Sequence, residues 1–247
     1  MRDMEGYSCS KCGGSGIYIE DNLAHKCSCM DEYMRVLRYR EAGLPKKLGR
    51  FTFEGFDFRY YPRDEYPGDS MDKSYGRIAE STFKAAKKFA SSNIKEAHGK
   101  GLLFYGNVGS GKTYLSSAIA NYLLRKGQRV LFVIIPDLLD KIRASYSGET
   151  ELSELELLRQ AKNIPVLILD DLGVHNYTDW ARNKIYTILN SRLIYEKPTV
   201  INTNLDLDAM EEHIGERTTS RIVELCDVHR LAVPRDIRHM KNLERRA

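Results

Sequence analysis

No apolar stretch in these 247 residues is long enough to span a bilayer. The opening residues, Met1 to Gly6, lack the apolar core of a secretory leader, so a cytoplasmic protein is expected. There is no internal repeat and no low-complexity tract, which argues against a solenoid or a tail-like chain. Charge of one sign is also missing: 38 Lys and Arg face 34 Asp and Glu, a net +4. That balance permits contact with nucleic acid without demanding it. Cysteine is sparse and unevenly placed, with Cys226 alone and Cys9, Cys12, Cys27 and Cys29 together near the start. In a reducing compartment such a cluster points to a metal before a disulfide.

From Ser74 onward the pattern alternates between helix and strand. Ala79, Phe83, Ala86, Ala90 and Ile94 recur at helical spacing. Apolar runs at Leu102–Tyr105, Val130–Ile135, Val166–Leu169 and Thr199–Ile201 read as strands, with Leu231–Val233 as a fifth. Amphipathic helical segments separate them. Near-continuous apolar strands between such helices predict an α/β fold, a parallel sheet covered on both faces. The expected organisation is a module at 1–45, a linker at 46–74 and the main domain at 75–247, with Gly43-Leu44-Pro45 as a breaker near the first boundary.

Gly106-Asn107-Val108-Gly109-Ser110-Gly111-Lys112-Thr113 fits the phosphate-loop pattern in full, between a buried strand and an amphipathic helix. Glycines let the backbone N–H groups converge on phosphate oxygens, and the helix N-terminus favours the anion. Gly106 to Tyr114 is the predicted nucleotide-binding stretch. Lys112 is expected at the β- and γ-phosphates and Thr113 on Mg²⁺. The strand Val166–Leu169 ends in Asp170 and Asp171. Strand ends in parallel sheets face the ligand crevice, so Asp170 is expected to hold Mg²⁺ and Asp171 to polarise the attacking water.

Cys9-x-x-Cys12 and Cys27-x-Cys29 offer four soft ligands, the set that zinc takes in a tetrahedron. Because Cys-x-Cys is the less usual spacing, His25 is a possible substitute for one cysteine. A module of this size cannot bury a core unaided, so the zinc is expected to be structural. Cys226 reads as a core residue.

Basic residues gather at Arg35, Arg38, Arg40, Lys46, Lys47 and Arg50, at Lys141 and Arg143, and at Arg235, Arg238, His239, Lys241, Arg245 and Arg246. They could follow a phosphate backbone, or simply be solvated faces. The aromatic segment Phe51 to Tyr61 reads as a packing element rather than a base-stacking one.

From about Phe51 to about Lys241 the chain resembles AAA+ ATPases of the DnaC/DnaI helicase-loader and IstB-like group. The carriers are the phosphate loop, Asp170-Asp171-Leu172-Gly173, Pro198 to Leu205 and Gly215 to Ile222. The resemblance implies a P-loop AAA+ core with a five-stranded sheet, little or no helical lid, and a zinc-binding, partner-docking module in front. It implies a sensor role for Asn204, subunit-bridging roles for Arg217 and Arg221 (Arg221 the favoured finger), and a late sensor arginine at Arg238. Many AAA+ proteins carry Asp-Glu where this chain has Asp170-Asp171.

The function it implies is ATP-dependent loading of a replicative DNA helicase, with single-stranded DNA bound and ATP hydrolysed between self-associating subunits. An IstB-like transposition helper favouring duplex DNA is the alternative, as is a nucleotide-gated adaptor with little turnover.

Overall fold

The computed structural model describes residues 9–68, 72–92, 100–147, 152–174 and 177–245. The expected helical position Ile94 and the basic Arg246 lie outside them. The chain opens with a hairpin, β1 (Ile17–Glu20) and β2 (Leu23–Lys26), followed by helix α1 (Cys29–Glu41). Then come α2 (Tyr75–Ser91), β3 (Gly101–Tyr105), α3 (Lys112–Arg125), β4 (Val130–Ile134), α4 (Ile135–Ala144) and α5 (Glu154–Asn163). The remainder is β5 (Val166–Leu172), α6 (Asp179–Ile194), β6 (Thr199–Thr203), α7 (Leu207–Ile214), α8 (Glu216–Leu225), β7 (Cys226–Arg230) and α9 (Ile237–Glu244).

Helix starts follow local chemistry. The Ser74 and Thr178 side chains accept the N–H of Arg77 and Ala181, and Ser153 with Glu156 forms a reciprocal capping box.

The described residues hold a parallel sheet in the order β4-β5-β6-β3-β7. Alternation along its strands feeds two cores. Leu102, Phe104, Val130, Phe132, Val166, Ile168 and Val200 face α2 and α3. Leu103, Leu167, Leu169 and Ile201 face α4 to α8.

The fifth strand is Cys226–Arg230, not Leu231–Val233 as expected. Among the described residues it is an edge strand paired with β3 alone, so it can carry polar side chains outward and its sequence does not read as buried. The apolar Leu231, Ala232 and Val233 are buried beyond it, against the phosphate loop. Cys226 opens this strand, buried, rather than lying in a helix.

Residues 46–68 lie on the core rather than away from it. Phe53, Phe56, Tyr60 and Tyr61 are buried with Ala118 and Leu115 of α3, and Asn121 Nδ2 donates to Leu48 O at 3.0 Å and Phe51 O at 2.8 Å. Helix α1 is fixed as well, since Phe132 N donates to Ala42 O at 2.7 Å. Below the sheet, Arg192 is fully buried and has no acidic partner among the described residues. Its guanidinium donates to Thr199 Oγ1 at 2.7 Å, Ala161 O at 3.0 Å, Ile164 O at 2.9 Å and Pro198 O at 2.7 Å. It thereby joins the end of α5 to the starts of β5 and β6.

Candidate functional site

Gly106, Gly109 and Gly111 take φ of 143°, 73° and 97°, a conformation that L side chains rarely adopt. Space excludes side chains there too: a Cβ at Gly106 would overlap Leu231 O, and one at Gly111 would meet the Tyr61 hydroxyl. Tyr61 donates to Ser110 O at 2.7 Å, bracing the loop from the aromatic segment.

Lys112 starts α3 and donates to Gly106 O at 2.7 Å and Asn107 O at 2.9 Å. Burial pulls its ammonium down to about 8, against the opposing pull of Asp170 and Asp171; Arg238 pushes the same way as burial. A curled loop with a buried cation is a cradle that suits a polyphosphate.

Thr113 donates to Asp170 Oδ1 at 3.1 Å, so the two expected Mg²⁺ ligands touch. Burial raises the Asp170 carboxyl above the ordinary range, with Asp171 adding to it, while bonds from Asn202 and Thr113 oppose the rise. A buried carboxylate beside a hydroxyl, aimed at a phosphate cradle, is a donor set fit for Mg²⁺. Asp171 follows at φ 59°, within a break in the β5–β6 register between Leu169 and Leu172. The break leaves Asp170 buried and Asp171 exposed to water.

Asn202 was not singled out from the sequence. It donates to Asp170 Oδ1 at 2.6 Å and to Ser116 Oγ at 2.7 Å, buried between β3 and β5. The sequence signal for it is an amide following the apolar pair Val200-Ile201 in the strand Thr199–Thr203. Asn204 lies two residues on, exposed just past β6. Tyr114 turns from the loop toward the linker, donating to Thr52 O at 3.1 Å and stacking on Phe51.

The segment after β7 clamps the loop. Asn107 Nδ2 donates to Val233 O at 2.8 Å, Val233 N to Asn107 Oδ1 at 3.2 Å, and Ile237 N to Gly109 O at 3.2 Å. A Cβ at Gly109 would overlap the Asp236 carboxylate, and Arg238 Nε lies 3.6 Å from Asp236 Oδ1. Arg238 is thus held at the edge of the cradle. Arg217 and Arg221 lie on α8, away from this cluster; Arg217 is exposed and Arg221 pairs with Glu224 at 2.9 Å.

These features, a phosphate cradle on the strand ends of a β4-β5-β6-β3-β7 sheet, agree with the comparisons. The family described as IstB-like ATP binding protein matches residues 74–232. The chain belongs to this family. It sits in the DnaC/DnaI/IstB-like AAA+ group. It is 33% identical over 151 residues to the replicative helicase loader DnaI of Bacillus subtilis strain 168, covering 59% of this chain and 48% of that protein. It is 31% identical over 142 residues to the replicative helicase loader DnaC of Buchnera aphidicola subsp. Schizaphis graminum, covering 56% of each. The chain therefore spans about half the length of the curated relatives it matches. Among solved structures, DnaI superposes with a TM-score of 0.61 at 26% identity, covering 76% of this chain and 94% of that one.

The four N-terminal cysteines converge. Their Sγ atoms all lie within 4.8 Å of one another, with Cys9–Cys27 at 3.8 Å and Cys12–Cys29 at 3.3 Å. Four thiolates at Zn–S distances of about 2.3 Å in a tetrahedron stand about 3.8 Å apart, so the set fits zinc. Gly13, Gly14 and Gly16, all at positive φ, turn the chain around the cluster, and Gly16 N donates to Cys12 Sγ at 3.3 Å. His25 is not in the group; its ring stacks on Tyr18.

A separate cluster joins α4 to α6. Trp180 carries Arg143 5.2 Å and Lys184 5.7 Å from its ring, and Tyr146, 61% exposed, packs edge-on at 6.3 Å. No helix among the described residues is long and apolar enough to cross a membrane.

Proposed function

We propose that the protein is an ATP-hydrolysing loader of a replicative DNA helicase that acts on single-stranded DNA. One observation carries this reading: a four-thiol module is joined by α1, without slack, to an ATP-binding AAA+ core, as the bond from Phe132 N to Ala42 O requires. A docking element held rigidly to a nucleotide-driven core transmits a change of nucleotide state to whatever it grips. The names of the DnaI and DnaC relatives support the choice of partner.

In this reading Lys112 and the loop amides hold the triphosphate, and Thr113 and Asp170 hold Mg²⁺, which neutralises charge on the phosphates. Asn202 favours the ionised form of Asp170 and orients it. Asp171 orients the water, and Asn204 and Arg238 sense the terminal phosphate. Arg221, with Arg217 in support, completes the site of a neighbouring copy. Cys9, Cys12, Cys27 and Cys29 hold a structural zinc. The Trp180 ring with Arg143 over it, and Lys141 on the same helix as Arg143, offer single strands a ring for bases and cations for phosphates, while Lys184 beside the ring is paired with Glu154.

The test is steady-state ATP hydrolysis by the purified chain with a single strand, with a duplex and without DNA, beside Trp180→Ala. Stimulation by the single strand, lost in the variant, is expected. Stimulation by duplex alone would move the reading to a transposition helper, and turnover near zero under all conditions to an adaptor.

A further inference from the structure

A groove of about 790 Å³ lies where α1 meets the core, at the end of the sheet opposite the phosphate loop. Its walls are α1, the start of β4 and α5, and three of its lining side chains are Arg38, Arg129 and Arg159. Among the described residues none of the three guanidiniums has an ion-pair partner. Two carboxylates share the lining. Glu156 accepts from Ser153 N at 2.9 Å and Ser153 Oγ at 2.8 Å, which fixes its orientation, and with Glu41 it leaves the three cations in excess of two anions.

A second observation is independent of charge. Arg38 Nε is buried and has no hydrogen-bond partner. A buried donor left unmatched costs free energy that folding would ordinarily avoid, and a guanidinium donor is matched best by a bidentate oxyanion. The junction is not slack, since Phe132 N holds Ala42 O at 2.7 Å, so Arg38 is presented to the groove from a fixed helix end.

We propose that this groove binds a small phosphate-bearing anion of nucleotide size, at a site separate from the phosphate loop and shared between the N-terminal module and the core. Three guanidiniums supply forks for phosphate oxygens, and Gln160 and Asn163 in the lining supply neutral donors. A ligand there would clamp α1 against β4. The inference stands apart from the helicase-loading reading, since it uses none of the residues assigned to ATP.

The experiment is calorimetric titration of the full chain carrying Lys112→Ala, which silences the phosphate loop, with inorganic pyrophosphate and then with ADP. Binding of one equivalent is expected to persist. Arg129→Gln with Arg159→Gln, both exposed positions that folding tolerates, should weaken it by about tenfold or more. Arg38→Lys keeps the charge but removes Nε, and should also weaken it. Hydrogen exchange at the Phe132 amide should slow when pyrophosphate is bound. Absence of binding to the Lys112→Ala chain overturns the proposal. So does binding indifferent to all three arginines, or a loss confined to single-stranded DNA, which would make the groove a nucleic-acid track.

Discussion

Asn202 on β6 donates to Asp170 on β5 at 2.6 Å, favouring the ionised carboxylate from the neighbouring strand against the burial that raises it. Removing that bond in Asn202→Ala should raise the Asp170 value further, since burial already raises it. The acid limb of Mg²⁺-dependent hydrolysis is expected to move to higher pH, with turnover at neutral pH down about 10- to 100-fold. Because the folded-state value is raised, ionised Asp170 costs stability at neutral pH, and that cost fades as pH falls through it. Activity profiles against pH, with melting curves beside them, check both statements.

Lys112 gives a second pH signature. Burial pulls its ammonium down to about 8, whereas phosphates would restore the charge. ATP binding should therefore take up a proton near pH 8 and weaken as pH rises above it, by up to about tenfold per unit. Calorimetry in two buffers of different ionisation enthalpy reads the uptake directly. Lys112→Ala should lose the uptake together with binding at the phosphate loop.

Arg192 is the structural counterpart. Four acceptors from α5, β6 and their flanking loops converge on one buried guanidinium. Arg192→Leu leaves these acceptors stranded, and a loss of about 3–5 kcal/mol in urea unfolding is expected. Arg192→Lys should recover only part of it, because a single ammonium cannot span the fork.

Arg221→Ala should leave ATP binding intact and abolish hydrolysis. Mixing it with Lys112→Ala subunits should restore some turnover, because each variant supplies what the other lacks. If mixing restores nothing, the active site is not shared in the way proposed.

For the N-terminal module, one zinc per chain is expected by metal analysis, released by a strong chelator or by Cys12→Ser. The loss should open the first thirty or so residues to protease while leaving ATP binding unchanged.

Much of this was legible in the sequence because its causes are local. The phosphate loop is one contiguous stretch, and its glycines, lysine and threonine act on one another across a few residues. The capped helices and the buried central strands likewise declare themselves by periodicity. Edge strand β7 did not, because pairing on one side only lets Cys226-Asp227-Val228-His229-Arg230 be polar, while Leu231–Val233 took the apolar signature into a loop.

Sequence by itself determined the ATP-binding motif, the alternating α/β order and the set of four cysteines. Only the tertiary structure decided that β6 lies between β3 and β5, which puts Asn202 rather than Asn204 against Asp170. It alone turned the aromatic segment into a brace for Ser110 and brought Arg38, Arg129 and Arg159 to one groove. The physical reason is range. Propensity and periodicity act over a few residues and are written along the chain, whereas strand order and burial are set by how distant segments exclude water together.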